Sequence, residues 1–337
     1  MILIIFLIIF NLLVILNLKK ISQILNIYDH PDGKLKIHKL KVPIIGGIFL
    51  AINFSIVFLF QILFSNSFLS FDIDQLSYLE LISLLILLYS YFFLGLYDDK
   101  YHLTPFKKLT ISILIILITI FLNKNLIISS FNLSFIEKKI FLKDLSILFT
   151  IFCILILINS LNFYDGINGQ SCLIFLSFFS YLLFIGDANL FYLISIILIL
   201  LVMLLNLKNM LFLGDGGVYL LTIILSISLI YEHNINKNIY YVDEIFFLLL
   251  LPGLDLLRLT ILRSLNSKNP FLGDRNHIHH LLINKFSLIF SNIILLFLST
   301  LPIILFMFFK INFFLIFSLI VFIYIILIQF LKSSGMK

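Results

Sequence analysis

Long apolar runs separated by short polar segments dominate the sequence. An α-helix rises about 1.5 Å per residue, so about 20 apolar residues are enough to cross the hydrocarbon core of a bilayer. With 62% hydrophobic and 12% charged residues, the 337-residue chain also has too few polar side chains to cover a water-soluble fold. We therefore predict an all-α, polytopic integral membrane protein of about 11 transmembrane helices. The predicted spans lie near residues 2–18, 43–63, 77–96, 108–122, 145–159, 170–185, 189–206, 217–231, 244–262, 288–309 and 312–331.

The positions of the basic residues predict the orientation. Lys19 and Lys20 follow the first apolar run, and no positively charged segment or small-residue cleavage site marks that run as a secretory signal. Placing the N-terminus outside puts 17 of the 23 Lys and Arg residues in inside segments, in agreement with the positive-inside rule. We expect a multi-pass protein of the cytoplasmic (inner) membrane, with its N-terminus outside and its C-terminus inside.

Polar motifs lie at the ends of several spans, and we expect them to form active-site loops on this cytoplasmic, inside face. Asp98 and Asp99 stand at the end of the 77–96 span. A single Asp at the centre of a spanning helix costs about 3 kcal/mol, so acids beside spans suggest a functional site. The other inside motifs carry Asn162, Asp165, Asn168, Asp215, Arg275, His277, His279 and His280. Outside loops lack clustered His, which is part of the asymmetry expected of a membrane enzyme with a cytosolic active site.

These residue types suit an anionic substrate that carries phosphate groups. Carboxylates from separate spans can converge on Mg²⁺, which prefers one or two carboxylates together with substrate phosphate oxygens. Glycines in 166–169 and 214–217 would let backbone N–H groups approach a phosphate, while Lys107, Lys108 and the histidines would neutralise pyrophosphate oxygens. Positioning, a cation and positive charge are the requirements of phosphoryl transfer.

Each motif also has a simpler structural interpretation. The glycines of 214–217 are typical of an ordinary turn, and the histidine cluster lacks the Cys or Glu partner of a zinc site. Asp255 is equally well explained as a helix-end cap. Cys153 and Cys172 lie in apolar stretches and are expected to pack as small hydrophobic residues. The joint occurrence of the motifs, in this order and on one face, is what favours an active site.

Five segments carry a resemblance to a known family. They are KIHKLKVPIIGG (36–47), GLYDDK (95–100), NSLNFYDGING (159–169), FLGDGG (212–217) and DRNHIHH (274–280). In this order the chain resembles the polyprenyl-phosphate N-acetylhexosamine-1-phosphate transferases over nearly its whole length. The HIHH sequence is similar to the GlcNAc-1-phosphate branch that initiates O-antigen synthesis, whereas the PxHHH-like loop of phospho-MurNAc-pentapeptide translocase is absent.

The resemblance implies roles for individual residues. Asp98 and Asp99 match the paired aspartates of the family, and the role of Asp98 stays open between base, nucleophile and metal positioner. Asp215 matches the aspartate that ligates Mg²⁺, or Mn²⁺ in its place, and Asp99 is its expected partner. The residues predicted to be catalytic are Asp98, Asp99, His277, His279 and His280. The residues predicted to bind substrate are Lys36, Lys107, Lys108, Asn162, Asp165, Asn168 and Arg275.

Two positions depart from the family pattern. Asn168 stands where the family often has Asp, which keeps the hydrogen-bonding shape and loses the charge. Gly217 and Val218 replace the Ser that usually follows GDxG, so a hydroxyl contact is lost there.

The expected function is transfer of HexNAc-1-phosphate from a UDP-HexNAc to undecaprenyl phosphate, with release of UMP, as the first membrane step of cell-surface polysaccharide synthesis. Residues 1–337 would form a single transmembrane catalytic domain, as a monomer or a homodimer, with membrane lipids and no nucleic acid as partners. The alternatives are a phospho-MurNAc-pentapeptide transferase, an anionic-solute transporter and an inactive relative that serves as a scaffold. The sequence does not encode which sugar or which polysaccharide pathway is used.

Overall fold

The computed structural model describes residues 2–29, 41–64, 77–186, 189–267 and 275–333. Within these ranges the chain is a bundle of α-helices with two small antiparallel strand pairs, β1–β2 and β3–β4. The helices are α1 (Ile2–Leu16), α2 (Leu18–Leu25), α3 (Gly46–Phe64), α4 (Tyr78–Tyr101), α5 (Pro105–Leu122), α6 (Ser146–Phe163), α7 (Gln170–Ile185), α8 (Asn189–Leu207), α9 (Gly214–Asn234), α10 (Asp243–Leu265), α11 (Ile278–Ile283), α12 (Leu288–Met307) and α13 (Phe313–Ser333). The strands are β1 (Tyr28–Asp29), β2 (Val42–Pro43), β3 (Ser130–Leu133) and β4 (Ile136–Phe141).

Each predicted apolar run coincides with helical structure. In the described part of the chain, 9 helices are long and apolar enough to cross a membrane. The first run is split by a 70° bend between α1 and α2, which together make one more candidate span, and α7 is a shorter apolar helix of 16 residues. The prediction of an all-α, polytopic membrane protein is confirmed.

Several helices extend beyond the predicted spans. α4 continues through Asp98 and Asp99, and α9 begins at Gly214 rather than near residue 217. The prediction that the motifs at 95–100 and 214–217 are loops is therefore wrong, because both lie in helical turns. Apolar composition ends where side chains leave the hydrocarbon, whereas the backbone hydrogen bonds of a helix continue into polar residues.

Helix α9 lies at the centre of the bundle. It packs against α3, α4, α6 and α7, and 89% of its most apolar stretch is buried inside the protein. Its polar side chains do not disturb this packing, because Thr222 and Ser226 donate hydrogen bonds to the carbonyls of Val218 and Thr222, one turn earlier. The first turn of α9 therefore stands in the middle of one end of the bundle.

The segment before α3 is tied to the segment before α9. Phe212 donates its N–H to Pro43 O at 2.9 Å, and Gly46 and Gly47 donate theirs to the carbonyls of Phe212 and Leu213 at 2.9 and 3.0 Å. These bonds use backbone groups that the start of each helix leaves without an intrahelical partner. They fix where α9 begins relative to its neighbours.

The strands β3 and β4 form a hairpin at the opposite end of the bundle, which the sequence analysis did not predict. The hairpin is held to the end of α9, since His233 Nε2 lies 2.8 Å from Ser130 O. Asn123, just after α5, also donates to the Tyr231 hydroxyl at 3.1 Å. This end is therefore closed by backbone and amide hydrogen bonds.

Candidate active site

A cavity of about 700 Å³ opens at the end of the bundle where α9 begins. Apolar side chains, among them Ile44, Ile283 and Phe286, form part of its wall. Its polar lining consists of Asp29, Asp99, Asp165, Asn168, Asn206, Asn209 and Asp215. Three motifs that are far apart in the chain therefore meet at one end of the bundle, as predicted from their common face.

Asp99 holds the first turn of α9. Its Oδ1 accepts the N–H of Asp215 at 2.9 Å, and its Oδ2 accepts the N–H of Gly216 at 3.1 Å. A carboxylate at a helix N-terminus satisfies free N–H groups and interacts favourably with the positive end of the helix dipole. The cap comes from α4, so Asp99 joins the two helices that carry the acidic motifs. This role was not predicted from the sequence.

Asp98 is buried and paired. Lys108, from the first turn of α5, forms an ion pair with Asp98 Oδ2, and Asp98 Oδ1 accepts the Leu103 N–H at 2.7 Å. The Lys108 ammonium also lies 3.6 Å from Asp215 Oδ2. One cation thus stands between two carboxylates on different helices, which reduces their mutual repulsion.

Lys107 and Lys108, which the sequence does not distinguish, have different surroundings in the structure. Lys107 is exposed, whereas Lys108 is half-buried beside Asp98 and Asp215. We expect Lys108→Met to lower the rate of phosphate transfer about tenfold or more, because it leaves the buried Asp98 carboxylate without its cation. Lys107→Met is the matched control and should retain the parent rate in the same assay of UMP release. Equal losses in the two variants would contradict the assignment.

The glycines of the acidic motifs serve close helix packing. A Cβ on Gly95 would lie 2.6 Å from the carbonyl carbon of Asp215 and 2.6 Å from Gly216 Cα. A Cβ on Gly47 would lie 2.8 Å from Gly217 Cα, so α3, α4 and α9 approach one another backbone to backbone. The sequence predicted that the glycines of 214–217 allow backbone N–H groups to approach a phosphate. The N–H groups of Asp215 and Gly216 donate to Asp99 instead, so the prediction is wrong for these two groups.

The loop between α6 and α7 carries Asp165 to the cavity. The Ser171 hydroxyl, from the first turn of α7, donates to Asp165 Oδ1 and orients the carboxylate. Asn162 does not line the cavity, and its side chain instead lies beside the hydroxyl of Tyr219 on α9. Asn162 and Asp165 were both predicted to bind substrate, and the structure places only Asp165 at the cavity.

The side chain of Asn168 has a structural role in the α6–α7 loop. Asn168 Nδ2 donates to Asn206 O at 3.1 Å and to Asn209 Oδ1 at 2.8 Å, which ties the loop to the end of α8. The Asn168 carbonyl accepts from Asn292 at 2.8 Å. An Asp carboxylate has no hydrogen to donate, so it could not make the first two bonds. Asn168 lies at the cavity, but its N–H groups serve the loop.

His279 lies behind the cavity wall. Its ring is 1% exposed and packs on Gly166, where a Cβ would overlap the imidazole. Gln170 Nε2 lies 3.2 Å from His279 Nδ1. Burial, followed by the neighbouring His280 and His277, lowers the pKa of His279 well below its ordinary value, so the ring is neutral near neutral pH. Gly166 is thus required by the histidine that packs on it.

The remaining predicted residues divide by position. His277 is buried, with its Nδ1 2.8 Å from Asp255 Oδ2, and does not line the cavity. The His280 ring packs edge-on against the His279 ring, with 4.3 Å between the ring centroids, and His280 does not line the cavity. Arg275 is exposed. Lys36 lies outside the described residues.

Several residues at or near the site were not predicted to have a role in it. Asp29, Asn206 and Asn209 line the cavity, and Asp255 contacts His277. The polar residues at the end of the 189–206 span were a signal for Asn206 and Asn209. Asp255 is a cap, as its structural interpretation allowed, but it caps α11 rather than its own helix, accepting the Ile278 N–H at 3.2 Å.

The donor set fits a cation shared with a substrate. Among the described residues, no group of three or more His, Cys, Asp or Glu side chains is arranged to hold a metal ion. Asp99 and Asp215 nevertheless both line the cavity. Mg²⁺ takes one or two carboxylates and completes its shell with phosphate oxygens and water, so two hard oxygen ligands are sufficient on the protein side.

The fold and this site define a membrane-embedded protein with an acid-lined cavity at one end of its bundle. The model of the family described as Glycosyl transferase family 4 matches residues 81–233, which include Asp98, Asp99, Asp165 and Asp215. The match shows similarity to that family over this part of the chain. A comparison with curated proteins finds no match.

Proposed function

We propose that this protein transfers HexNAc-1-phosphate from a UDP-HexNAc to undecaprenyl phosphate on the cytosolic side of the inner membrane. The observation that carries the proposal is that Asp99 and Asp215 line a cavity beside the α6–α7 loop, next to the ion pairs of Lys108 with Asp98 and Asp215. This arrangement combines carboxylates for a cation, positive charge and room for a nucleotide at the end of membrane-spanning helices. Residues 1–337 act as one catalytic domain in this proposal.

The reaction exchanges one pyrophosphate linkage for another. An oxygen of the lipid phosphate attacks the phosphorus that bears the sugar, and the bond from that phosphorus to the oxygen bridging it to UMP breaks. UMP leaves with the bridging oxygen, and polyprenyl-diphospho-HexNAc forms. Mg²⁺ or Mn²⁺ held by Asp99 and Asp215 would stabilise charge on the pyrophosphate when bound.

The contacts of Asp98 favour a positioning role. Its two oxygens accept from Lys108 and from the Leu103 N–H, and Asp98 is not among the residues that line the cavity. A lipid phosphate has its second pKa near 6 and is already largely dianionic at neutral pH, so little is gained from a base. We infer that Asp98 holds Lys108 between the two acidic helices.

The apolar and polar walls suit the two halves of a nucleotide sugar. The lining includes polar groups from Asp165, Asn168, Asn206 and Asn209 and apolar surface from Phe286 and Ile283. A pocket of this kind binds a base by packing and a sugar by hydrogen bonds. The HIHH sequence favours a GlcNAc-type donor.

A donor panel tests the proposal. Purified protein is incubated with undecaprenyl phosphate, Mg²⁺ and, separately, UDP-GlcNAc, UDP-GalNAc or UDP-MurNAc-pentapeptide, while UMP and the lipid product are quantified. We expect UMP and polyprenyl-diphospho-HexNAc in equal amounts with a UDP-HexNAc. Product only with UDP-MurNAc-pentapeptide would replace this function by the peptidoglycan one. UMP without a lipid-linked product, or no UMP with any donor, would contradict it.

A further inference from the structure

Asp255 is the centre of a buried hydrogen-bond network between three helices. It lies within α10, is 2% exposed, and accepts hydrogen bonds from Arg258 Nη2 and the Tyr324 hydroxyl, both at 2.8 Å. Asp255 Oδ2 is also 2.8 Å from His277 Nδ1, and Oδ1 accepts the Ile278 N–H at 3.2 Å. A buried carboxylate needs such partners to offset its lost hydration. One side chain thus joins α10, α13 and the first turn of α11.

The surroundings of His277 select one tautomer. Its Nδ1 faces the Asp255 carboxylate, which can only accept, so Nδ1 carries a proton. Its Nε2 lies 3.5 Å from Arg263 Nη2, which can only donate, so Nε2 presents its lone pair. Both ring nitrogens therefore face protein groups. This arrangement suits a residue that holds a position better than one that exchanges protons with a substrate.

A chain of contacts leads from His277 to the cavity. The His277 and His279 rings are stacked, with centroids 5.2 Å apart and an angle of 7° between their planes. His279 packs on Gly166, which lines the cavity beside Asp165. Since interiors are close-packed, a displaced His277 ring cannot be absorbed without moving His279 and then the loop.

We propose that Asp255 is a positioning residue, which acts through the His277–His279 stack to place the Asp165–Gly166 wall of the cavity. The effect on substrate rests on the proposed function, because it is measured with a UDP-sugar. The effect on the loop does not depend on that function. The histidine motif is, in this view, the link between α10 and the loop that meets the nucleotide.

Asp255→Asn tests the proposal without removing atoms. Because Arg258, Tyr324 and the Ile278 N–H all donate to Asp255 Oδ1, we expect the asparagine oxygen to keep that position and its NH₂ group to face His277 Nδ1. Donation to Nδ1 moves the ring proton to Nε2 and toward the Arg263 guanidinium. We expect the Nδ1–H signal of His277 in ¹⁵N NMR to disappear and amide hydrogen exchange in residues 164–170 to increase. We also expect KM for the UDP-sugar to rise about tenfold or more, with a smaller change in kcat.

Tyr324→Phe is the matched control. It removes one donor to the same carboxylate and leaves the contact with His277, so loop exchange and KM should stay near parent values. If Asp255→Asn changes neither the tautomer nor the loop exchange, or if Tyr324→Phe changes both to the same extent, the proposal is wrong. If no UDP-sugar is turned over by the parent protein, the proposed function fails while the NMR and exchange results still decide the positioning role.

A second pair of variants covers the case in which Asp255→Asn does not fold. His277→Asn retains an N–H donor for Asp255, and His277→Ala does not. We expect loop exchange to increase more in the alanine variant than in the asparagine variant. Equal loop exchange in the two variants would overturn the proposal, as would a kcat loss of about a hundredfold in His277→Asn with KM unchanged, which would mark His277 as catalytic.

Discussion

Asp215→Asn is expected to lower the rate of UMP release by about a hundredfold or more. It removes a negative carboxylate that would hold a divalent cation, and that cation would stabilise the charge that develops during phosphoryl transfer. Asp215 lines the cavity, and its Oδ2 lies 3.6 Å from the Lys108 ammonium. The asparagine side chain has the same shape and no charge. The loss should appear in kcat, and excess EDTA should abolish the parent activity if Asp99 and Asp215 hold a divalent cation.

The same substitution should not destabilise the fold. Asp98 and Asp215 share one lysine, and Asp99 accepts the Asp215 N–H, so three carboxylates lie close together and removal of one charge relieves repulsion. We expect the thermal midpoint in detergent to be unchanged or higher than that of the parent. Asp144→Asn, at an exposed position near the β3–β4 hairpin, is the control and should leave both quantities unchanged. Full activity of Asp215→Asn, or of the parent protein in EDTA, would refute the cation role.

Gly95→Ala is expected to reduce both stability and activity. The new Cβ would lie 2.6 Å from the Asp215 carbonyl carbon and from Gly216 Cα, and backbone atoms cannot rotate away as a side chain can. α4 and α9 would have to separate, at an overpacking cost of about 1–3 kcal/mol. Asp98 and Asp99 move with α4, and a displacement of about 1 Å at a reacting centre can cost about a hundredfold in rate.

Gly253→Ala provides a control of the same chemistry. Gly253 lies inside α10, and a Cβ there meets no atom within 4 Å. Alanine is the better helix former by about 1 kcal/mol, so this variant should be neutral or slightly stabilised. Thermal unfolding and UMP release of the two variants are compared with the parent. If Gly95→Ala behaves like Gly253→Ala, the close approach of α4 and α9 is not essential to the site.

The ends of the helices differ from the ends of the spans that the sequence predicts. The apolar run that ends at residue 96 predicts a span, but α4 continues to Tyr101, so Asp98 and Asp99 project from a helix instead of a loop. Apolar composition reports contact with lipid, and a helix is maintained by hydrogen bonds that polar residues form equally well. The β3–β4 hairpin was missed for a related reason, because its strands are short and mostly polar or exposed.

The site shows the same division. The sequence predicts that Asp99, Asp165 and Asp215 belong together, and all three line one cavity. It does not distinguish Lys107 from Lys108, because adjacent helical positions differ in direction only once the helix is packed against its neighbours. It also assigns the histidines to the substrate, whereas His277 and His279 are held by Asp255 and Gln170.

The sequence by itself determined that the chain is a polytopic membrane protein and that its polar motifs share one end of the spans. Both follow from quantities read along the chain: the length of apolar runs and the cost of placing charge in hydrocarbon. Only the tertiary structure decided which groups meet. The Asp99 carboxylate caps a helix that begins more than 100 residues later, and Asp255 reaches a histidine 22 positions away. Such pairs depend on distances between helices, which local composition does not specify.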